Sequence, residues 1–198
     1  TMRLNIKADP AAAPVATATF NFDFTVTDYD AISIYFPTFD TVAPLVNLDL
    51  RYDPIQKVVG GRKQLDMCLY DGKNSTSTRA YLRFEDDGLP SAGRAEGAFS
   101  IRRRGGSQTD ARDRLDYQVS VTHPVTGATE TVANGKTVVW QGTNDPQYLR
   151  QVVLPGGRES VLCIPAPIIL KTPAFAASSK NAGDYTGTLR VIYTPSTL

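Results

Sequence analysis

The stretch Asp184-Tyr-Thr-Gly-Thr-Leu-Arg-Val-Ile-Tyr-Thr-Pro195 decides the fold class. In it Tyr185, Gly187, Leu189, Val191 and Tyr193 alternate with Thr186, Thr188, Arg190, Ile192 and Thr194. A period of two, written in β-branched and aromatic residues, specifies a strand with one buried face. Only Ser196, Thr197 and Leu198 follow. That is too short for another strand, so this one is expected to keep one edge without a later partner of its own. An unpaired apolar edge invites pairing with another chain.

The same signature recurs upstream. Ala18, Phe20, Phe22, Phe24 and Val26 alternate with Thr19, Asn21, Asp23, Thr25 and Thr27. Further strands are expected at 31–36, at 45–50 with Val46, Leu48 and Leu50 on the apolar face, and at 80–84. Leu115, Tyr117, Val119 and Val121 mark another, followed by 137–140 and 149–154. Asp71-Gly72 is a strong turn signal. Many short strands at close spacing, with thirteen prolines, fifteen glycines and no helical period, predict an all-β sandwich with Greek-key connections. At the N-terminus Met2, Leu4, Ile6 and Ala8 form a short alternating strand, and Asp9-Pro-Ala-Ala-Ala-Pro14 reads as a linker. The chain thus divides into residues 1–15 and a sandwich domain over residues 16–198.

Charge and motifs narrow the function. Lys and Arg number 21 against 20 Asp and Glu, so nothing draws the whole molecule to nucleic acid or an anionic membrane. No apolar run reaches the length of a membrane-spanning helix, and no basic-then-apolar leader opens the sequence, so any secretion signal is expected to have been removed or to lie outside this sequence. His123, the sole histidine, has no accompanying nucleophile signature and reads as a loop residue. Glu85, Asp86 and Asp87 lack calcium-loop spacing and read as a solvated turn. Arg102-Arg-Arg-Gly-Gly106 lacks interleaved aromatics and reads as part of a surface loop. Residues 87–114 as a whole, rich in glycine and charge, read as a long surface excursion. The sequon Asn74-Ser75-Thr76 matters only in a eukaryotic secretory route. No catalytic residues, metal site or cofactor are expected.

Cys68 and Cys163 each lie in an apolar strand-like run. They are either two buried thiols or one disulfide joining two sheets of an exported sandwich. The all-β pattern favours the disulfide.

Two blocks carry a resemblance. The first is Asp66-Met-Cys-Leu-Tyr-Asp-Gly72 with Tyr81-Leu-Arg-Phe-Glu-Asp-Asp87; the second is Val161-Leu-Cys-Ile-Pro165 with Ala182-Gly-Asp-Tyr-Thr-Gly187 and Tyr193-Thr-Pro195. Together, over about Ala18 to Leu198, they resemble the pilin domain of tip adhesins of alpha-clade (class 5) chaperone–usher fimbriae, such as colonization-factor and cable-pilus tip proteins. The resemblance implies an immunoglobulin-like pilin sandwich that lacks its seventh strand, with its two cysteines disulfide-bonded. It makes residues 1–15 the last strand of a missing adhesin domain plus the interdomain linker. It implies a hydrophobic donor-strand groove lined by Phe20, Phe22, Phe24 and Val26 on one side and Tyr185, Leu189, Val191 and Tyr193 on the other. A periplasmic chaperone, and then a major pilin subunit, would fill that groove, with assembly at an outer-membrane usher. The domain would pass through the periplasm to the fimbrial tip, where the adhesin domain meets the host receptor. Met2, Leu4, Ile6 and Ala8 have the alternation to act as a surrogate donor strand, folded back or swapped between copies. The rival expectation is a self-contained carbohydrate- or protein-binding sandwich with its specificity in residues 87–114. A hydrolase on this scaffold has no nucleophile to support it.

Overall fold

The computed structural model describes residues 2–7, 14–20, 32–39, 41, 43–72, 75–88, 93–154 and 160–196, the first two segments as backbone only. Among these residues the architecture is all-β, with short strands packed as a sandwich.

Three sheets make up the body. The largest runs β15 (Tyr185–Thr186), β8 (Phe99–Arg103), β9 (Arg114–Thr122), β14 (Ile168–Ala176), β5 (Val58–Leu65) and β4 (Arg51–Asp53), with β10 (Thr129–Val132) also on β9. The second is β11 (Thr137–Gln141), β7 (Arg79–Asp86) and β16 (Leu189–Pro195). The third is β12 (Arg150–Val153), β13 (Ser160–Pro165), β6 (Cys68–Asp71) and β3 (Ile32–Tyr35). A separate pair joins β1 (Met2–Lys7) to β2 (Pro14–Phe20).

Alternation fixes which side of each strand is dry, because successive side chains point to opposite faces. Ala80, Leu82 and Phe84 of β7 are fully buried, as are Val119 and Val121 of β9. They meet Leu69, Phe99, Trp140, Ile164 and Ile168 in one core cluster. The Trp140 indole N–H still finds a partner, donating to Glu130 Oε1 at 3.1 Å. β14 slips its register against β5 between Thr172 and Phe175. Pro173 falls in that gap, where a residue without an N–H cannot continue the ladder.

The structure corrects four expectations. The terminal stretch is two strands, not one. β15 pairs with β8 in the large sheet, while β16 pairs with β7 in the second. The chain changes sheets at Gly187 and Thr188, and Gly187 passes so close to Ile101 that a Cβ would lie 2.9 Å from its Cγ2. Residues 45–50 are not a strand. Asp49 takes φ 51° and its N–H bonds to Asn47 Oδ1, a local turn that removes the backbone from the ladder. The disulfide Cys68–Cys163 does form, with Cα atoms 5.7 Å apart, but it joins neighbouring strands of one sheet. Cys68 stands opposite Pro165 on β13, so Cys163 lies diagonally across on the same face. Residues 87–114 are only in part a surface excursion: 104–112 are almost all exposed, but Phe99–Arg103 is a strand, Phe99, Ser100, Asp113 and Arg114 are buried, and Phe99 packs on Tyr117 with ring centroids 5.7 Å apart.

Candidate strand-acceptor site

The candidate site centres on β16. Leu189, Val191 and Tyr193 point inward and pack on the core; Arg190, Ile192 and Thr194 face solvent. In register, Leu189 to Pro195 stand opposite Asp86 to Ala80 of β7. Among the described residues β7 is the only strand paired with β16. Across the sandwich β16 lies against β6, whose outer neighbour β3 likewise has a single strand partner among those residues.

Leu189 and Val191 of β16, and Ile32 and Ile34 of β3, pack against the core yet remain only half-buried. Val46 and Leu48, from the irregular segment before β4, are likewise partly buried against the core. Tyr193 is buried, and its hydroxyl has no hydrogen-bond partner among the described residues. Burial, reinforced by the Asp71 carboxylate, holds that phenol well above its ordinary range. A buried hydroxyl without a partner costs about 1–3 kcal/mol.

Two polar clasps flank the crossover from β15 to β16. At the end of β7 the Asp86 side chain, only 2% exposed, accepts from Arg94 Nη2 at 2.7 Å, the Ser100 N–H at 2.7 Å and Asn134 Nδ2 at 2.8 Å. Next to it, Asp87 Oδ1 accepts from the Thr188 N–H at 3.1 Å, and the Asp87 N–H donates to the Thr188 carbonyl. The turn expected to be merely solvated is therefore a buried anchor at Asp86. At the other end of the crossover Asp113 accepts from Arg103, Asn181 Nδ2 and the Ser107 N–H. The Arg103 guanidinium leads these partners in holding the Asp113 carboxyl well below the usual range. Tyr185 Oη donates in the same place, to the carbonyl of Asn181 or that of Arg112.

Of the residues expected along the groove, Leu189, Val191 and Tyr193 share one inward face. Tyr185 is set apart on β15, in the other sheet. Phe20 closes β2 opposite Met2; Phe22, Phe24 and Val26 lie outside the described residues. The strand of Met2, Leu4 and Ile6 pairs with Pro14–Phe20 as an antiparallel neighbour, and no described residue of it pairs with β16. Ala8 is outside the described residues. A short connection closes such a local pair at little entropic cost. Sequence reasoning missed Ile32 and Ile34 as half-buried residues on a strand at the end of its sheet. Their alternation was visible, but nothing local says which sheet edge a strand occupies.

His123 serves the hairpin between β9 and β10. Its Nδ1 accepts from the Val125 N–H at 3.1 Å, and its ring lies 5.2 Å from Trp140. No group of three or more metal-ligating side chains comes together among the described residues.

These features define a disulfide-closed, all-β sandwich of the class that fimbrial proteins use. The sequence model of the second domain of the CFA/I fimbrial protein CfaE matches residues 32–197, and the chain belongs to that family. It is 28% identical over 198 residues to the CFA/I fimbrial protein CfaE of Escherichia coli, covering 98% of this chain and 51% of that protein. The chain therefore spans about half the length of this relative. Among solved structures it resembles CfaE, the adhesive component of the CFA/I fimbria of enterotoxigenic E. coli, with a TM-score of 0.70 at 25% identity. That match covers 100% of this chain and 52% of CfaE. A point mutant of the same adhesin gives 0.68 at 27% identity, over 87% of this chain and 45% of the mutant. A chaperone–tip adhesin complex described as vital for activating CFA/I fimbriae biogenesis gives 0.56 at 26% identity, over 86% of this chain and 43% of the matched chain. The chain is a fimbrial adhesin-related pilin domain.

Proposed function

We propose that this domain is the assembly module of a fimbrial tip adhesin, accepting a donor strand first from a periplasmic chaperone and then from the next pilin subunit. The observation that carries the reading is β16: an inward row of Leu189, Val191 and Tyr193 on a strand paired along one edge only among the described residues. An added strand there would bond through its backbone and bury alternate side chains, which is β-augmentation. Each fully buried anchor is worth about 1.5–3 kcal/mol by apolar area, so a few anchors would dominate stability. The half-buried state of Leu189, Val191, Ile32 and Ile34 supports an apolar rim that gains by being covered. The chaperone complex of the matched relative supports a chaperone as the first donor.

On this reading residues 1–15 are the last strand and linker of an adhesin domain, and residues 16–198 the pilin domain. Phe20, Phe22, Phe24 and Val26 form the opposite wall of the groove. Entry to the pilus is through an outer-membrane usher, the shaft pilin supplies the final donor strand, and receptor contact belongs to the adhesin domain. The domain ends at the fimbrial tip on the cell surface.

Thermal unfolding with and without a synthetic peptide of the shaft pilin's N-terminal segment tests this. Only the folded state binds the strand, so the midpoint is expected to rise with peptide concentration. Val191→Asp should remove the rise. Absence of any shift, both in the full chain and after deletion of residues 1–9, would sink the proposal.

A further inference from the structure

The far end of β16 is tied down from a loop whose hub is Asp71, a residue only 2% exposed. Its Oδ1 accepts from the Ser75 N–H at 2.8 Å and its Oδ2 from the Ser77 N–H at 3.0 Å. A carboxylate offers one acceptor oxygen to each donor, where an amide has a single carbonyl oxygen for both. These charge-assisted bonds also offset the left-handed backbone of Ser75, at φ 62°, a conformation that a residue with a Cβ seldom adopts.

The loop passes this order on to three neighbours. Ser75 Oγ donates to the Leu162 carbonyl of β13 at 3.0 Å. Thr143 Oγ1, just past β11, donates to the Ser77 carbonyl at 2.8 Å. Ser77 Oγ donates to the carbonyl of Ser196, the residue after β16, at 3.3 Å. Ser196 in turn closes on Arg79 at the start of β7. Its N–H donates to the Arg79 carbonyl at 2.9 Å, and its Oγ accepts from the Arg79 N–H at 3.2 Å. The last rung of the β7–β16 ladder is thus built on the Asp71 loop. The Asp71 charge also bears on the buried Tyr193 phenol, the last of the inward row.

Among the described residues β16 has a strand on one side only. The tip of such a strand frays unless something ties it. β-augmentation needs the edge N–H and C=O groups of the acceptor already in line, and a frayed tip adds an ordering cost to binding. We propose that Asp71 is a positioning residue for strand acceptance: through Ser75, Ser77 and Ser196 it holds residues 193–195 extended for the incoming strand. The inference rests on the strand-acceptor reading of β16 and adds the buried group that presets the far end of its edge.

The test compares the full chain with Asp71→Asn and Ser77→Ala, using three synthetic peptides. One is the shaft pilin's N-terminal segment; the others are that segment shortened by three residues at one end or the other. Whichever way the strand runs, one shortened peptide no longer reaches residues 193–195. Asp71→Asn should bind the full peptide and the other shortened one about tenfold more weakly than the unaltered chain does, the scale of one lost anchor. The peptide that stops short of residues 193–195 should bind both proteins equally. Ser77→Ala leaves the carboxylate and both of its N–H donors in place, and should show the same pattern with a smaller loss. Equal affinity of the chain and both variants for the full peptide would overturn the positioning role. An equal loss for all three peptides would place Asp71 in general stability, and would overturn it too. Should Asp71→Asn fail to fold, Ser77→Ala decides alone: a loss confined to peptides that reach residues 193–195 sustains the proposal, and its absence overturns it. Failure of the unaltered chain to bind the full peptide would overturn the strand-acceptor reading and this inference with it.

Discussion

Asp86→Asn tests whether the buried clasp sets the position of the terminal strand. The Asp86 side chain is 2% exposed and that of Arg94 10%, so the pair is desolvated. The carboxylate takes three donors: Arg94, the Ser100 N–H and Asn134 Nδ2. An amide in its place keeps the volume but presents an N–H₂ to a site built for acceptors, and it leaves the guanidinium without its counter-charge. Arg94 retains the carbonyls of Gly88 and Ala98, which limits the damage. Breaking one partner of a buried pair costs about 3–5 kcal/mol. In a chain of this length each kcal/mol moves the midpoint by about 2–4 °C, so a fall of about 10 °C is expected. Denaturant unfolding of the single variants, of Arg94→Met and of the double variant supplies the cycle. Because the two groups share one network, the double variant should cost clearly less than the sum of the singles, by more than about 1 kcal/mol. Asp86 stands opposite Leu189, and Asp87 grips Thr188. Asp86→Asn should therefore also weaken donor-peptide binding. A loss below about 1 kcal/mol, or additive singles, would refute the clasp as a stabilising unit.

Three further outcomes follow from the same geometry. Cys163→Ser opens a bridge spanning 95 residues and should cost up to about 4–5 kcal/mol, read as a lower melting temperature that reductant no longer affects. Gly61→Ala places a Cβ 2.6 Å from the Leu48 carbonyl oxygen and 2.8 Å from that of Asp49. Both atoms are backbone, so the 44–50 segment must move; a loss of about 1–3 kcal/mol in denaturant unfolding is expected, and full stability would refute the close approach. His123 has its pKa lowered chiefly by burial. A lowered histidine contributes stability above its unfolded value of about 6.5, and that contribution is lost as pH falls through this value. His123→Gln should flatten the stability profile between about pH 7 and 5, and an unchanged slope would refute the role of Nδ1 in the turn.

How much of this was legible in the sequence depends on the range of the interaction. Leu115, Tyr117, Val119 and Val121 declare a strand because alternation is local, and all four are buried. Asp71-Gly72 declares a turn for the same reason, and Gly72 takes φ 78° there. The stretch 184–195 shows where that logic stops. Its alternation runs unbroken through Gly187, yet the chain changes sheets at that point. Nothing in a period-two pattern says which sheet each half joins; Ile101 and Asp87, some 86 and 101 residues away, decide it. Asp86 fails to declare itself likewise, since three consecutive carboxylates look solvated until Arg94, Ser100 and Asn134 converge on the middle one. The two faces of β16 combine both lessons. Its inner row is readable as apolar from the sequence alone, whereas the outer row, Arg190 beside Glu85 and Ile192 beside Arg83, exists only once register is set.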